Sequence, residues 1–212
     1  MTKKILAITL TAIFAVGLVS AAYAVSTIPG LASTKIKIDD DEYEKIKFKL
    51  DAKLKDFDSP FGGYAVLTSG DVIAVTSHAQ FYDSETQDEP TMPVLQQVGA
   101  IAALCDPADT GCGGEWHTHG VKPVETELCG FAAVGALTFE EIADEVKVKA
   151  MKIVLKEIES DDDFTDAVSG NEQEYVFGDP VGNAAFDLVA VDSDGVFIGE
   201  SGNPISAICI VP

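Results

Sequence analysis

The chain has 212 residues, with 14 Lys, no Arg and 35 Asp plus Glu, for a formal net charge of −21. That length suits one domain, or one domain and a small extension, with enough chain to bury a substantial core. Hydrophobic residues at 47% and charged residues at 23% exclude a compositionally disordered body. An anionic surface repels phosphate backbones, and without Arg no guanidinium fork can grip a base edge, which excludes nucleic-acid binding and electrostatic docking on anionic lipid.

Lys3 and Lys4 form a short positive start, residues 5–19 are apolar, and Ala22-Tyr23-Ala24 closes the stretch with a small-x-small site. This pattern predicts a signal peptide over residues 1–24, cleaved after Ala24, and a secreted or cell-surface product. A retained anchor is the rival reading, since residues 5–24 could just span a bilayer, but no stop-transfer charges follow. The next most apolar segment, 94–105, is too short to cross and carries Gln96, Gln97 and Gly99.

Residues 25–34, with Pro29-Gly30, read as a linker. In 36–57 Tyr43, Ile46, Leu50, Leu54 and Phe57 recur at three- and four-residue intervals, which predicts a helix. Phe48 lies off that stripe, and residues 46–50 also alternate as a strand would. Ser59-Pro60-Phe61-Gly62-Gly63 breaks the chain and separates this charged N-terminal segment, 25–58, from a single β-rich domain over 59–212.

Residues 64–68 and 72–82 flank Ser69-Gly70-Asp71 and read as a hairpin. In its second strand Ile73, Val75, Ala79 and Phe81 form a buried face, while Ala74, Thr76, His78, Gln80 and Tyr82 form a polar one. Residues 94–104 read as a short helix entered by Pro93, and 128–137 as a buried strand. Thr138 and Glu141 make a capping-box pattern for a helix within 138–158, although Val146-Lys147-Val148-Lys149 alternates. Residues 161–163 read as an acidic loop; short strands follow at 175–177, 186–191, 196–199 and 205–211, with a turn at 192–195. The fold class expected is mainly β, a sandwich or barrel with one to three short helices.

Cys105, Cys112, Cys129 and Cys209 are even in number in an exported chain, so two disulfides are expected. The turn-rich 106–111 stretch favours Cys105 with Cys112, which leaves Cys129 for Cys209. The longer closure is worth about 3–4 kcal/mol on the chain-entropy account.

Two of the three histidines fall in Glu115-Trp116-His117-Thr118-His119. On a strand, Glu115, His117 and His119 share one face, and two imidazoles two residues apart can converge on zinc or copper. His78, on the polar parity of its own strand, is the expected third ligand. Glu115, Tyr82 or Asp83 would be the fourth ligand or an orienting group. Asp192-Ser193-Asp194-Gly195 with Glu200 is a calcium alternative, although the turn reading accounts for it.

Trp116-His117-Thr118-His119 resembles the His-x-His of JAMM-type metalloproteases. The motif's Asp position is Gly130, however, and its Ser is absent, so no family is assigned. The expected function is metal binding or a structural role at the cell exterior, through His117 and His119 with His78 and Glu115. A zinc-dependent hydrolase or hydratase is one alternative, because an open position on a three-His zinc can activate water, with Glu115 as base. A surface or filament subunit that self-associates by strand addition is the other.

Overall fold

Lysines alternating with β-branched and aromatic residues carry the chain into strands. The computed structural model describes residues 28–39, 42–54, 62–77, 116–130, 132–159, 162–166, 170–191, 193–195 and 207–212. They form β1 (Leu31–Asp39), β2 (Glu42–Leu50), β3 (Gly62–Thr68), β4 (Val72–Ser77), β5 (His117–Glu125) and β6 (Ala132–Leu137). Then come β7 (Ala143–Lys149), β8 (Lys152–Ile158), β9 (Asp162–Thr165), β10 (Glu172–Tyr175), β11 (Pro180–Val191) and β12 (Ala207–Val211). The fold is mainly β, and no α-helix occurs among the described residues. The signal-peptide segment, residues 94–104, Cys105 and Cys112 all lie outside the described residues.

Strands β11-β12-β6-β5-β4-β3 close into an antiparallel barrel, and β1-β2-β8-β7 form a separate four-stranded sheet. Between them lies one apolar layer. Ile46, Phe48, Ile153 and Leu155 from the sheet meet Tyr64, Val66, Ile73 and Val75 from the barrel. Phe48 and Tyr64 rings sit 5.7 Å apart across this layer. The second apolar cluster holds Ala65, Ala74, Val121 and Phe186, with Val134, Leu137, Leu188 and Ile210 against them. These come from all six barrel strands, which only the inner face of a closed barrel can bring together. Gly63 keeps that space open, since a Cβ there would meet Val75 O at 2.2 Å and the Phe186 ring at 3.0 Å.

Two helix expectations are corrected. Residues 36–57 fold instead into β1 and β2, paired antiparallel, with β2 also paired to β8. The helix-like spacing arises at a bulge: Lys45 pairs Lys37 and Tyr43 pairs Ile38, so Glu44 drops out of the ladder. The extra residue shifts the parity, and Tyr43 and Ile46, three apart, both reach the core. The capping-box helix in 138–158 is likewise replaced by β7 and β8. Thr138 instead donates to Glu140 O at 2.9 Å and accepts from the Gly120 amide at 3.1 Å, a tie between strands. The polar face expected for 72–82 is also revised: Ala74 and Thr76 are buried inside the barrel, so β4 is covered on both faces. Part of the expected acidic loop at 161–163 belongs to strand β9.

Cys129 and Cys209 are disulfide-bonded, with Cα atoms 5.3 Å apart. Among the described residues the bond sits at the thinnest seam of the barrel, where β12 and β6 share the pairs Cys209–Ala133 and Ile210–Ala132. Among the described residues no helix is long and apolar enough to cross a membrane.

Candidate metal centre

Strand β5 is held by its outer face. Trp116 stacks on Tyr64 with centroids 5.9 Å apart, and the Thr118 hydroxyl accepts from the Ile142 and Ala143 amides at 3.1 Å each. With even-numbered side chains turned outward, the odd-numbered ones turn inward. The ladder agrees: His119 lies opposite Ala74, and His117 opposite Thr76. Ala74 and Val121, on either side of His119, belong to the barrel's inner cluster. Both imidazoles therefore enter one end of the barrel, with ring centroids 4.8 Å apart and planes at 90°.

Gly120 determines how His119 is held. A Cβ there would meet the Tyr175 ring at 2.8 Å and Thr138 Cγ2 at 3.1 Å. Without it, Thr138 closes on the strand and donates its amide to Gly120 O at 3.0 Å. The Thr138 carbonyl then lies 2.7 Å from His119 Nδ1, inside the protein. A carbonyl only accepts, so Nδ1 carries the proton, and in the neutral ring Nε2 carries the lone pair. Metal-binding histidines are oriented in this way, by a backbone carbonyl on the nitrogen away from the metal. His117 Nε2 is 3.5 Å from Thr76 Oγ1, a looser contact at a half-buried position.

The structure thus brings His117 and His119 to one face, as the spacing predicts. His78, Glu115, Tyr82, Asp83, Asp192 and Glu200 lie outside the described residues. Among the described residues no three His, Cys, Asp or Glu side chains gather as a metal cluster. Two imidazoles fit part of a zinc or copper site and supply no more than that. Cys129 is disulfide-bonded and so cannot serve as a thiolate ligand.

A second polar cluster was not legible in the sequence. Asp71 Oδ2 accepts from Lys122 Nζ and from the Val176 amide, both at 2.9 Å, and Lys122 Nζ lies 4.8 Å from the Tyr175 ring centroid. Burial, and then the charges of Asp166, Asp71 and Glu140, push the Tyr175 hydroxyl well above its ordinary value. The cluster ties the β3–β4 turn to β5 and to the end of β10. Its members lie up to 105 residues apart, and no local pattern links them.

No protein-family model, curated protein or solved structure matches the chain.

Proposed function

We propose that the protein is an exported, acidic β-barrel protein that binds copper or zinc through His117 and His119. The observation that carries this reading is the pair of imidazoles inside one end of the barrel, with the His119 tautomer held by the Thr138 carbonyl. Imidazole nitrogen suits both metals. His78 and Glu115 remain the further ligands proposed from the sequence. The role is metal binding or structural service at the cell exterior.

The test is elemental analysis and calorimetric metal titration of the intact protein beside His117→Ala and His119→Ala. One equivalent of zinc or copper is expected for the parent, with affinity reduced at least about tenfold in each variant, as loss of a ligand or its orienting group entails. Equal binding by parent and both variants would overturn the reading. A Thr138 carbonyl that orients His119 implies a graded effect as well. Gly120→Ala, which pushes Thr138 away, should weaken the metal while keeping both imidazoles.

A further inference from the structure

The lysines of this acidic chain are not scattered. Across the four-stranded sheet Lys45 lies opposite Lys156 and Lys49 opposite Lys152. On the flanking strands Lys35 lies opposite Lys47, Lys37 opposite Lys45, and Lys149 opposite Lys152. With Lys147, opposite Val154, these make nine lysines on the face turned away from the barrel. The same four strands carry six acids, Asp39, Glu42, Glu44, Asp144, Glu145 and Glu157; of these Glu145 pairs with Lys147 and Lys156, and Glu44 with Lys37. Elsewhere the chain carries only five of its 14 Lys but 29 of its 35 acids. The molecule is polar in the electrical sense, with one cationic sheet on an anionic body.

Neighbouring strands are about 4.8 Å apart, and directly opposed like charges destabilise a sheet. Among the described residues no ion pair involves Lys35, Lys47, Lys49, Lys149 or Lys152. Val154 on this face is buried, at 8% exposure. An open groove of about 400 Å³ lies at the β7–β8 turn, lined by Lys47, Lys49, Lys53, Lys149 and Lys152 with Ala150 and Met151. The opposed ammonium groups favour an occupant of negative charge.

The complementary surface lies on the same chain. Among the described residues, strands β9 and β10 form a two-stranded sheet of their own, tied to the end of β6 where the Phe139 amide donates to Thr165 O at 2.8 Å. Phe164 and Tyr175 turn inward from this hairpin, while Asp163, Glu172 and Glu174 are exposed. Asp163 lies directly opposite Glu174, a like-charge pair of the sign opposite to Lys49–Lys152 and on the same cross-strand spacing. No Lys occurs from Glu157 to Asp194.

We infer that the lysine face of one molecule docks the acidic β9–β10 hairpin of a second copy. A long phosphate or sulfate polymer fits less well, because beyond the sheet it must run along the acidic body. A hairpin presents its carboxylates to the lysine face alone. The contact is heterologous, joining different patches on the two copies, so it propagates into open chains or closes into rings. It uses the sheet face and leaves the β1 edge, with its Lys35 and Lys37, unpaired by strand addition.

Sedimentation velocity of the intact chain at about 20 mM and about 500 mM salt tests this, since screening acts on exposed charges. Association is expected at low salt and dissociation at high salt. Lys47→Glu, Lys49→Glu and Lys152→Glu together, or Asp163→Lys, Glu172→Lys and Glu174→Lys together, should each weaken it at least about tenfold. Mixing the two variants should restore it, because each then presents the charge the other needs. Circular dichroism confirms that each variant is folded, and Lys→Gln at the same three positions serves where a reversal is not. A parent that stays monomeric at low salt, or a lysine variant that associates as the parent does, would overturn the inference. So would heparin seated on the lysine face of a chain that remains monomeric.

Discussion

Glu145 sits between Lys147 and Lys156, and hydrogen bonds from both ammonium groups draw its carboxyl down to about 2. A carboxylate held low stabilises the fold above its ordinary value of 4.5 and loses that effect as the pH falls through about 2. An NMR titration should therefore find Glu145 still ionised at pH 3, and Lys147→Ala with Lys156→Ala should return its midpoint toward the ordinary value. A midpoint unchanged by those substitutions would refute the ion-pair cause. Thr118 is a second residue whose effect is local and measurable. Its hydroxyl is the acceptor for two buried amides, Ile142 and Ala143. Thr118→Val keeps the shape but strands both donors and should cost about 1–3 kcal/mol in chemical denaturation, while Thr118→Ser should cost much less.

Among the elements, β12 is the one most dependent on a single covalent tie. Among the described residues two ladder pairs join it to β6, and the Cys129–Cys209 bond spans the same seam across 80 residues of chain. Cys129→Ser with Cys209→Ser should lower stability by about 4–5 kcal/mol on the chain-entropy account, chiefly by freeing the unfolded chain. Hydrogen exchange should rise first at β12 and β6. Equal loss of protection across all strands would mean that the seam is not the weak point. The bulge at Glu44 is the other element-scale device. It turns Tyr43 toward the core, where its hydroxyl donates to Gly178 O at 2.5 Å and burial, with Asp179 nearby, pushes its ionisation up to about 12. Tyr43→Phe should lose that tether without opening a cavity, a cost of about 1 kcal/mol.

At the scale of the molecule, the sheet and the barrel share one apolar layer instead of each owning a core. Phe48 belongs to the sheet by sequence and to the barrel by contact, through the Tyr64 ring. Phe48→Ala should cost about 3–5 kcal/mol. It should also reduce hydrogen-exchange protection in β3 and β4 as well as in β2. Protection lost in β2 alone would show two independently folding units. The shared layer also fixes the outward aim of the lysine face: hydrophobic residues of the sheet occupy its inner side, so the alternating lysines can only face solvent or a partner.

The alternation of lysine with Ile, Phe and Val in residues 45–50 and 146–149 is a local signal of amphipathic strands, but beside it the three- and four-residue spacing of 43–57 and the Thr138–Glu141 pattern carried the reading to helices. His117 and His119 were legible on one face because strand side chains alternate, and the turn-rich 106–111 stretch, by favouring Cys105 with Cys112, left Cys129 for Cys209. Periodicity misled at Glu44, where one residue excluded from a ladder turned strand spacing into helix spacing. It misled again at Thr138, whose capping side chain found partners across strands. Which face of a strand is covered is decided by what packs against it, so only the closed barrel could show that Ala74, Thr76 and the imidazoles turn inward. The lysine grid is of the same kind. Each strand shows a few alternating cations, and only the antiparallel pairing of two distant hairpins, 31–50 and 143–158, sums them into one face.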